Sequence, residues 1–258
     1  MKRAGIVALN TFREAVRDRV LYSLVFFALL MMAAAVIVGQ ISIGIEESVM
    51  VNLGLSAISL IGILIAIFIG VGLVHKEMDK RTLFALLAKP VRRWEFLLGK
   101  FGGLLLTLLV NTVAMAAGLL LALLYVKHSL ERSDLVIVVA VYFILLKLGI
   151  IVALALLFSC YTTPLLATLY TAGLYVAGLF ATDLRSFHSD KMSPALAKSA
   201  VAISYLLPNF ENFNVMAAAA HARKVPGELI FQNTVYAAVY CALLLIIASL
   251  VFSRRNLK

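Results

Sequence analysis

Residues 77–100 read EMDKRTLFALLAKPVRRWEFLLGK and lie between two long oily runs. In a chain that is 63% hydrophobic and only 14% charged, a stretch this polar needs a reason. From Glu77 to Ala88 no residue breaks a helix, and Glu77 precedes Lys80 and Arg81 by three and four positions, the order that favours helical ion pairs. Leu83, Leu86 and Leu87 gather on one side, and Pro90 stops the helix. Arg92, Arg93 and Trp94 then suit a membrane interface, where a ring and long basic side chains anchor the start of a span. The stretch thus reads as a short amphipathic helix, a rigid turn and an anchored span. Its apolar side would either meet another protein or cover the base of a helix bundle, and the pattern alone fits both.

Working outward, the mean hydropathy of +1.03 excludes an ordinary soluble domain, which carries about 25% charged residues. Runs of about 20 apolar residues mark membrane spans. Six are read here: Leu21–Gly39, Leu53–Val74, Phe101–Val126, Leu135–Phe158, Pro164–Thr182 and Leu229–Phe252. They nearly exhaust 258 residues, so the expected fold is one all-α transmembrane domain. Its segments are 1–20 (interfacial helix), 21–74 (spans 1 and 2), 75–100 (charged loop), 101–182 (spans 3 to 5), 183–228 (external segment) and 229–258 (span 6 and tail).

The net charge of +10 fits nucleic acid poorly in so apolar a chain and fits cytoplasmic loop bias well. Residues 1–20, residues 75–100 and the tail after Phe252 hold most of the 23 Lys and Arg, whereas QISIGIEESVMVN (40–52) holds none. Both termini and the 75–100 loop are therefore expected inside. In residues 4–20, Leu9, Phe12, Val16 and Val20 share a helical face opposite Asn10, Arg13, Glu14 and Arg17, which predicts an amphipathic helix on the inner membrane surface. In the external segment, Ser193 at a cap position, Pro194 in the first turn and Pro208 as the stop predict a short helix that cannot span the bilayer.

Lys147 is the one charged residue deep within a predicted span. A charge there is costly and marks a function by default, though it could also snorkel or bond carbonyls and hydroxyls at a helix interface. Asn111, early in span 3, fits a bond across helices better than a substrate contact. Thr162, Thr163 and Pro164 make a tight inside turn, and Cys160 and Cys241 read as inert packing groups.

The 77–100 residues resemble the signature after the second span of ABC exporter permeases of the type-2 class. The matching positions are Glu77, Thr82–Leu83, Leu86–Leu87, Lys89–Pro90, Arg92–Arg93 and Leu97–Lys100. YLLPNFENFN (205–214) is similar to permeases associated with nitrous oxide reductase maturation. The resemblance implies a permease paired with a second copy, or a homologous permease, and with two copies of a separate ABC ATPase. It implies that Glu77, Arg81, Thr82, Leu83, Leu86, Leu87 and Pro90 form a coupling helix for that ATPase, braced by Phe12, Arg13 and Arg17. ATP and magnesium would bind the ATPase, leaving this chain no cofactor and no catalytic residue. Lipid would surround it in a prokaryotic inner membrane, and a periplasmic partner stays open.

The chain has no GxxxxGK[ST] phosphate loop, no HExxH, no CxxC and no GxSxG elbow. His75, His128, His188 and His221 fall at span ends or in loops, without metal-site spacing. A secondary transporter would want acidic or proton-relay groups within spans, and only Lys147 qualifies. A membrane subunit that transmits ATP-driven motion to a periplasmic partner, without moving substrate, would look the same in sequence. The orientation is directly checkable. Cysteines introduced at Glu46 and Ser189 should label from outside intact spheroplasts and one at Lys80 should not; external labelling at Lys80 would invert the topology.

Overall fold

The computed structural model describes residues 2–41, 44–79, 93–127, 134–186, 202, 204, 205 and 207–254. Among these the elements are all helical: α1 (Lys2–Val16), α2 (Arg19–Ile41), α3 (Glu46–Asp79), α4 (Arg93–Lys127), α5 (Leu135–Ser159), α6 (Pro164–Leu179), α7 (Ala181–Ser186), α8 (Met216–Ala220) and α9 (Gly227–Arg254). A single 3₁₀ turn, Glu211–Phe213, precedes α8.

The bundle is built around α5. A helix that is apolar on every side must be enclosed, and from Lys147 to Leu156 every residue of α5 is buried. Helices α3, α4, α6 and α9 pack against it, and α2 lies outside α3. Glycines set the closest approaches. A Cβ on Gly62 would meet Leu148 of α5 at 2.7 Å, and one on Gly70 would meet Ala155 at 3.3 Å. Small residues let apolar helices come together where lipid and side chains are equally oily, so packing rather than hydrophobicity selects the contact.

Among the described residues, four helices carry stretches long and apolar enough to cross a membrane by length and composition: Glu46–Leu73, Trp94–Lys127, Leu135–Ser159 and Gly227–Phe252. The apolar stretches Ala28–Ile41 in α2 and Pro164–Leu179 in α6 are shorter. Of the six expected spans, four are thus met by helices long and apolar enough among the described residues, while α6 has 16 residues and α2 runs for 23. Span 5, expected to run to Thr182, stops at Leu179 because Phe180 leaves helical geometry at ψ 8° before the chain restarts as α7. Span 2, expected from Leu53, begins at Glu46, because Gly44 turns the chain at φ 84° within a far shorter connection than the polarity of 40–52 suggests. The start of span 3 also moves: Arg93 and Trp94 are already the first turn of α4.

Two ends of the bundle can be told apart. Lys127 bridges Glu47 at 3.2 Å and Asp134 at 3.7 Å, and Ser48 donates to the Ala220 carbonyl at 2.8 Å. The start of α3, the end of α4, the start of α5 and α8 therefore share one end. At the other end α1 packs along the first turns of α4, where Phe96 stacks on Phe252 of α9 with ring centroids 6.2 Å apart.

The seating of α1 shows which of its faces meets the bundle. Leu9, on the face expected toward the membrane surface, is 47% exposed. The face turned inward is smaller: Thr11 and Ala15 are fully buried, with Val7 and Ala8 beside them. It meets the glycines of α4, where a Cβ on Gly99 would lie 2.6 Å from Val7 Cβ and one on Gly103 would lie 2.5 Å from the Ala8 carbonyl oxygen. Size complementarity, not hydrophobicity, chose the face. At 15 residues α1 is marginal as an isolated helix, so it depends on this seam. Gly103→Val should unseat it at a cost of about 1–3 kcal/mol, read as a lower unfolding temperature and protease cleavage within residues 4–16. An unchanged melt with α1 still protected would show that the seam does not hold it.

Candidate functional site

Arg81, Thr82, Leu83, Leu86, Leu87 and Pro90, the coupling residues expected from the resemblance, lie outside the described residues. Glu77 falls in the last turns of α3, whose helix runs unbroken to Asp79. Of the residues expected to brace that segment, Phe12 is half-buried in α1, while Arg13 and Arg17 are exposed. The acidic neighbour Glu14 is the one that reaches α4, with its Oε2 3.8 Å from Lys100 Nζ. Lys100 is 1% exposed and also lies 5.8 Å from the Phe96 ring centre, so the lysine of LLGK turns inward.

Lys147 occupies the middle of α5 and is 5% exposed. It does not reach an interface with water. Its Nζ donates to Ser59 Oγ of α3 at 2.6 Å, across the central helix contact. Ser59 is itself buried. Asn111 stands apart from this site: its Nδ2 donates to the Thr107 carbonyl of its own helix at 2.8 Å. The bond across helices expected for Asn111 is therefore a bond along α4.

Beside Lys147 lies a cleft of about 370 Å³. Ser56, Ser59, Leu60 and Ile63 of α3 form one wall, and Tyr175 and Leu179 of α6 form another. The remainder comes from the chain that follows the 187–201 segment, through Phe210, Glu211, Asn214 and Met216. A larger groove of about 640 Å³ runs between α4, α5 and α9, but only Thr234 and Ser249 relieve its apolar lining apart from Trp94 and Cys241. Specific small-molecule sites combine apolar walls with a few convergent polar groups, and only the smaller cleft has them.

The YLLPNFENFN stretch is what closes this cleft. Phe210 and Phe213 are fully buried, Phe210 against Tyr175 at 5.2 Å and Phe213 against Phe143 of α5 at 6.4 Å. The Phe210 N–H donates to the Gly178 carbonyl at 3.2 Å, and α6 has glycine there because a Cβ would strike the Pro208 carbonyl. Asn209, 3% exposed, accepts the Glu211 N–H at 3.2 Å and donates to Thr182 Oγ1 at 3.0 Å, while its own N–H reaches Tyr236 of α9 at 3.0 Å. A segment with so many apolar and amide anchors is a wedge between α5, α6 and α9. Ser56 and Ser59, three apart on one face of span 2, were the missed signal: two hydroxyls facing the same way in an oily helix.

A family profile described as ABC-2 family transporter protein matches residues 6–257. The chain belongs to the ABC-2 transporter family. It is thus a multi-pass membrane protein and a permease component of an ABC transporter, in a family whose members work with a separate ABC ATPase and are themselves not the catalytic subunit. The match covers both the α1–α4 seam and the cleft. It is to the family as a whole and does not reach the nitrous oxide reductase maturation subgroup. No individually curated protein matches the chain.

The anchoring of the wedge is open to test. Asn209→Ala should remove the acceptor of the Glu211 N–H and the amide donor to Thr182 Oγ1, at about 1–3 kcal/mol. Amide exchange at residues 209–214 should then quicken by roughly tenfold. Unchanged exchange would show that the two buried phenylalanines hold the wedge unaided.

Proposed function

We propose that this ABC-2 permease exports a substrate across a prokaryotic inner membrane, driven by ATP hydrolysis on two copies of a separate ATPase, and that it works as a dimer. On this reading all six apolar helices cross the bilayer, with both termini and the 75–100 segment inside. ATP and magnesium would be held by the ATPase. The direction, and kinship with the nitrous oxide reductase maturation permeases, follow from the resemblance in 77–100 and 205–214.

The observation that carries the reading is the continuity of α3. One unbroken helix holds Ser59 against Lys147 and runs on to Asp79, at the edge of the proposed coupling segment. At 1.5 Å per residue, Ser59 and Asp79 are separated by about 30 Å of rigid rod. On the far side of that segment α4 begins at Arg93, and α1 is packed onto its first turns. A displacement of residues 80–92 by the ATPase would therefore act on two elements at once: α3, which reaches the cleft, and α4 with α1 attached. Such a push changes the register of Ser59 against Lys147, and with it the cleft. This also favours transport over transmission of motion alone, since the lever ends on a polar site inside the bundle.

The test is the handle itself. Leu83→Asp with Leu86→Asp should place unpaired charge against the ATPase, weakening the contact about a hundredfold or more. Insertion and expression should survive, because the segment lies outside the hydrocarbon core. Mild-detergent purification with the co-expressed ATPase should yield a two-plus-two complex for the parent and free permease for the double variant. Equal recovery of complex, with ATP hydrolysis still dependent on the permease, would rule out residues 77–88 as the docking site.

A further inference from the structure

We propose that the cleft beside Lys147 binds an anionic group, a carboxylate or a phosphate. As a statement about cargo this rests on the permease reading above; as a statement about binding it does not.

The argument starts from charge. The Lys147 ammonium has three protons to donate, and its hydrogen bond among the described residues goes to a neutral acceptor, Ser59 Oγ, at 2.6 Å. No carboxylate among the described residues pairs with it, although it is 5% exposed at the centre of the most enclosed helix. A buried ammonium is stable when an opposite charge shares its site, and a hydroxyl supplies none. The missing component has somewhere to go, since Lys147 borders about 370 Å³ of space.

Further donors converge there. Ser56 spends its hydroxyl on Met216 Sδ at 3.7 Å, a weak acceptor that an anionic oxygen would displace. Tyr175 and Asn214, each carrying a donor, line the same space. Among the described residues, the one acidic residue on the cleft is Glu211, which is exposed. It opposes anions arriving past the wedge. The lateral side is different: Leu60 and Leu179 line the cleft and are 51% and 37% exposed, so it opens through the wall between α3 and α6. An anionic head could arrive there on an amphiphile from the surrounding bilayer, or as a small free anion.

The full-length chain, purified in a neutral detergent without ATPase, is titrated calorimetrically with decyl phosphate, decanol and inorganic phosphate. Decyl phosphate should bind the parent, and Lys147→Met should weaken it about tenfold or more, whereas Lys147→Arg should retain it. Decanol should not distinguish the variants. Dependence on Lys147 for decyl phosphate alone identifies an amphiphile as the source; the same dependence for inorganic phosphate identifies a free anion. Lys147→Met should also melt no lower than the parent, because a buried charge has been removed. A merely structural Lys147–Ser59 tie predicts a lower melt instead. If Lys147→Met does not purify, Ser59→Ala keeps the ammonium and frees a donor, so binding should persist or tighten. The proposal is overturned if Lys147→Met binds decyl phosphate like the parent, if the parent binds neither anion, or if Ser59→Ala abolishes binding. Because no ATPase enters the assay, a chain that fails to couple can still pass it.

Discussion

The enclosure of α5 is the constraint on which everything else in the bundle depends. A helix apolar around its whole circumference has no side it can leave toward water, so neighbours must surround it. Here α3, α4, α6 and α9 do so, and the PNFENF wedge fills the remaining gap by seating Phe213 on Phe143. One charged residue, Lys147, interrupts this sheath. Burying an ammonium in the most enclosed helix is expensive, and a plain core would carry leucine there. The charge and the cleft beside it therefore belong together, as the one place where the interior departs from what packing alone would choose.

The second organising element is the α1–α4 seam at the opposite end from the wedge. Glycines at 99 and 103 admit the backbone of α1 so closely that any side chain there would collide with it. Lys100, between them, turns inward to Glu14 and the Phe96 ring instead of reaching out to solvent. The signature LLGK thus has a packing role in this chain, fixing a second helix to the start of α4. A partner acting on residues 80–92 would meet α4 already stiffened by α1, with α3 as a continuous rod on the other side. Sites of this kind transmit displacement because packed helices move as bodies and their contacts are discrete.

Much of this was legible in the sequence. The class follows from oily runs of lipid length, since nothing but a bilayer accommodates so much apolar surface in so little charge. The helical identity of residues 4–16 and the turn at 160–163 follow from local spacing and from proline. Lys147 stood out for the same local reason, being a charge where none is cheap. An ATPase-facing role for 77–100 is what the resemblance implies, and the periodicity of those residues alone leaves a bundle-covering helix equally open.

What only the tertiary structure decided is which faces meet. Hydrophobicity puts Leu9 on a face suited to the membrane surface, but it is the glycines of a helix some ninety residues away that seat α1 through Thr11 and Ala15. Nothing near Asn111 in sequence says that its amide returns to Thr107 of its own helix, and nothing near Lys147 names Ser59, which is 88 positions distant. The ends of α3 and α6 moved for a related reason, because Glu46 and Phe180 are set by a glycine turn and by the wedge packed against Gly178, not by polarity. Local sequence determines that a segment is helical, how long it can be and whether lipid will accept it. The partner of each face is settled by shape between distant segments, and shape of that kind is a property of pairs of helices that no single stretch contains.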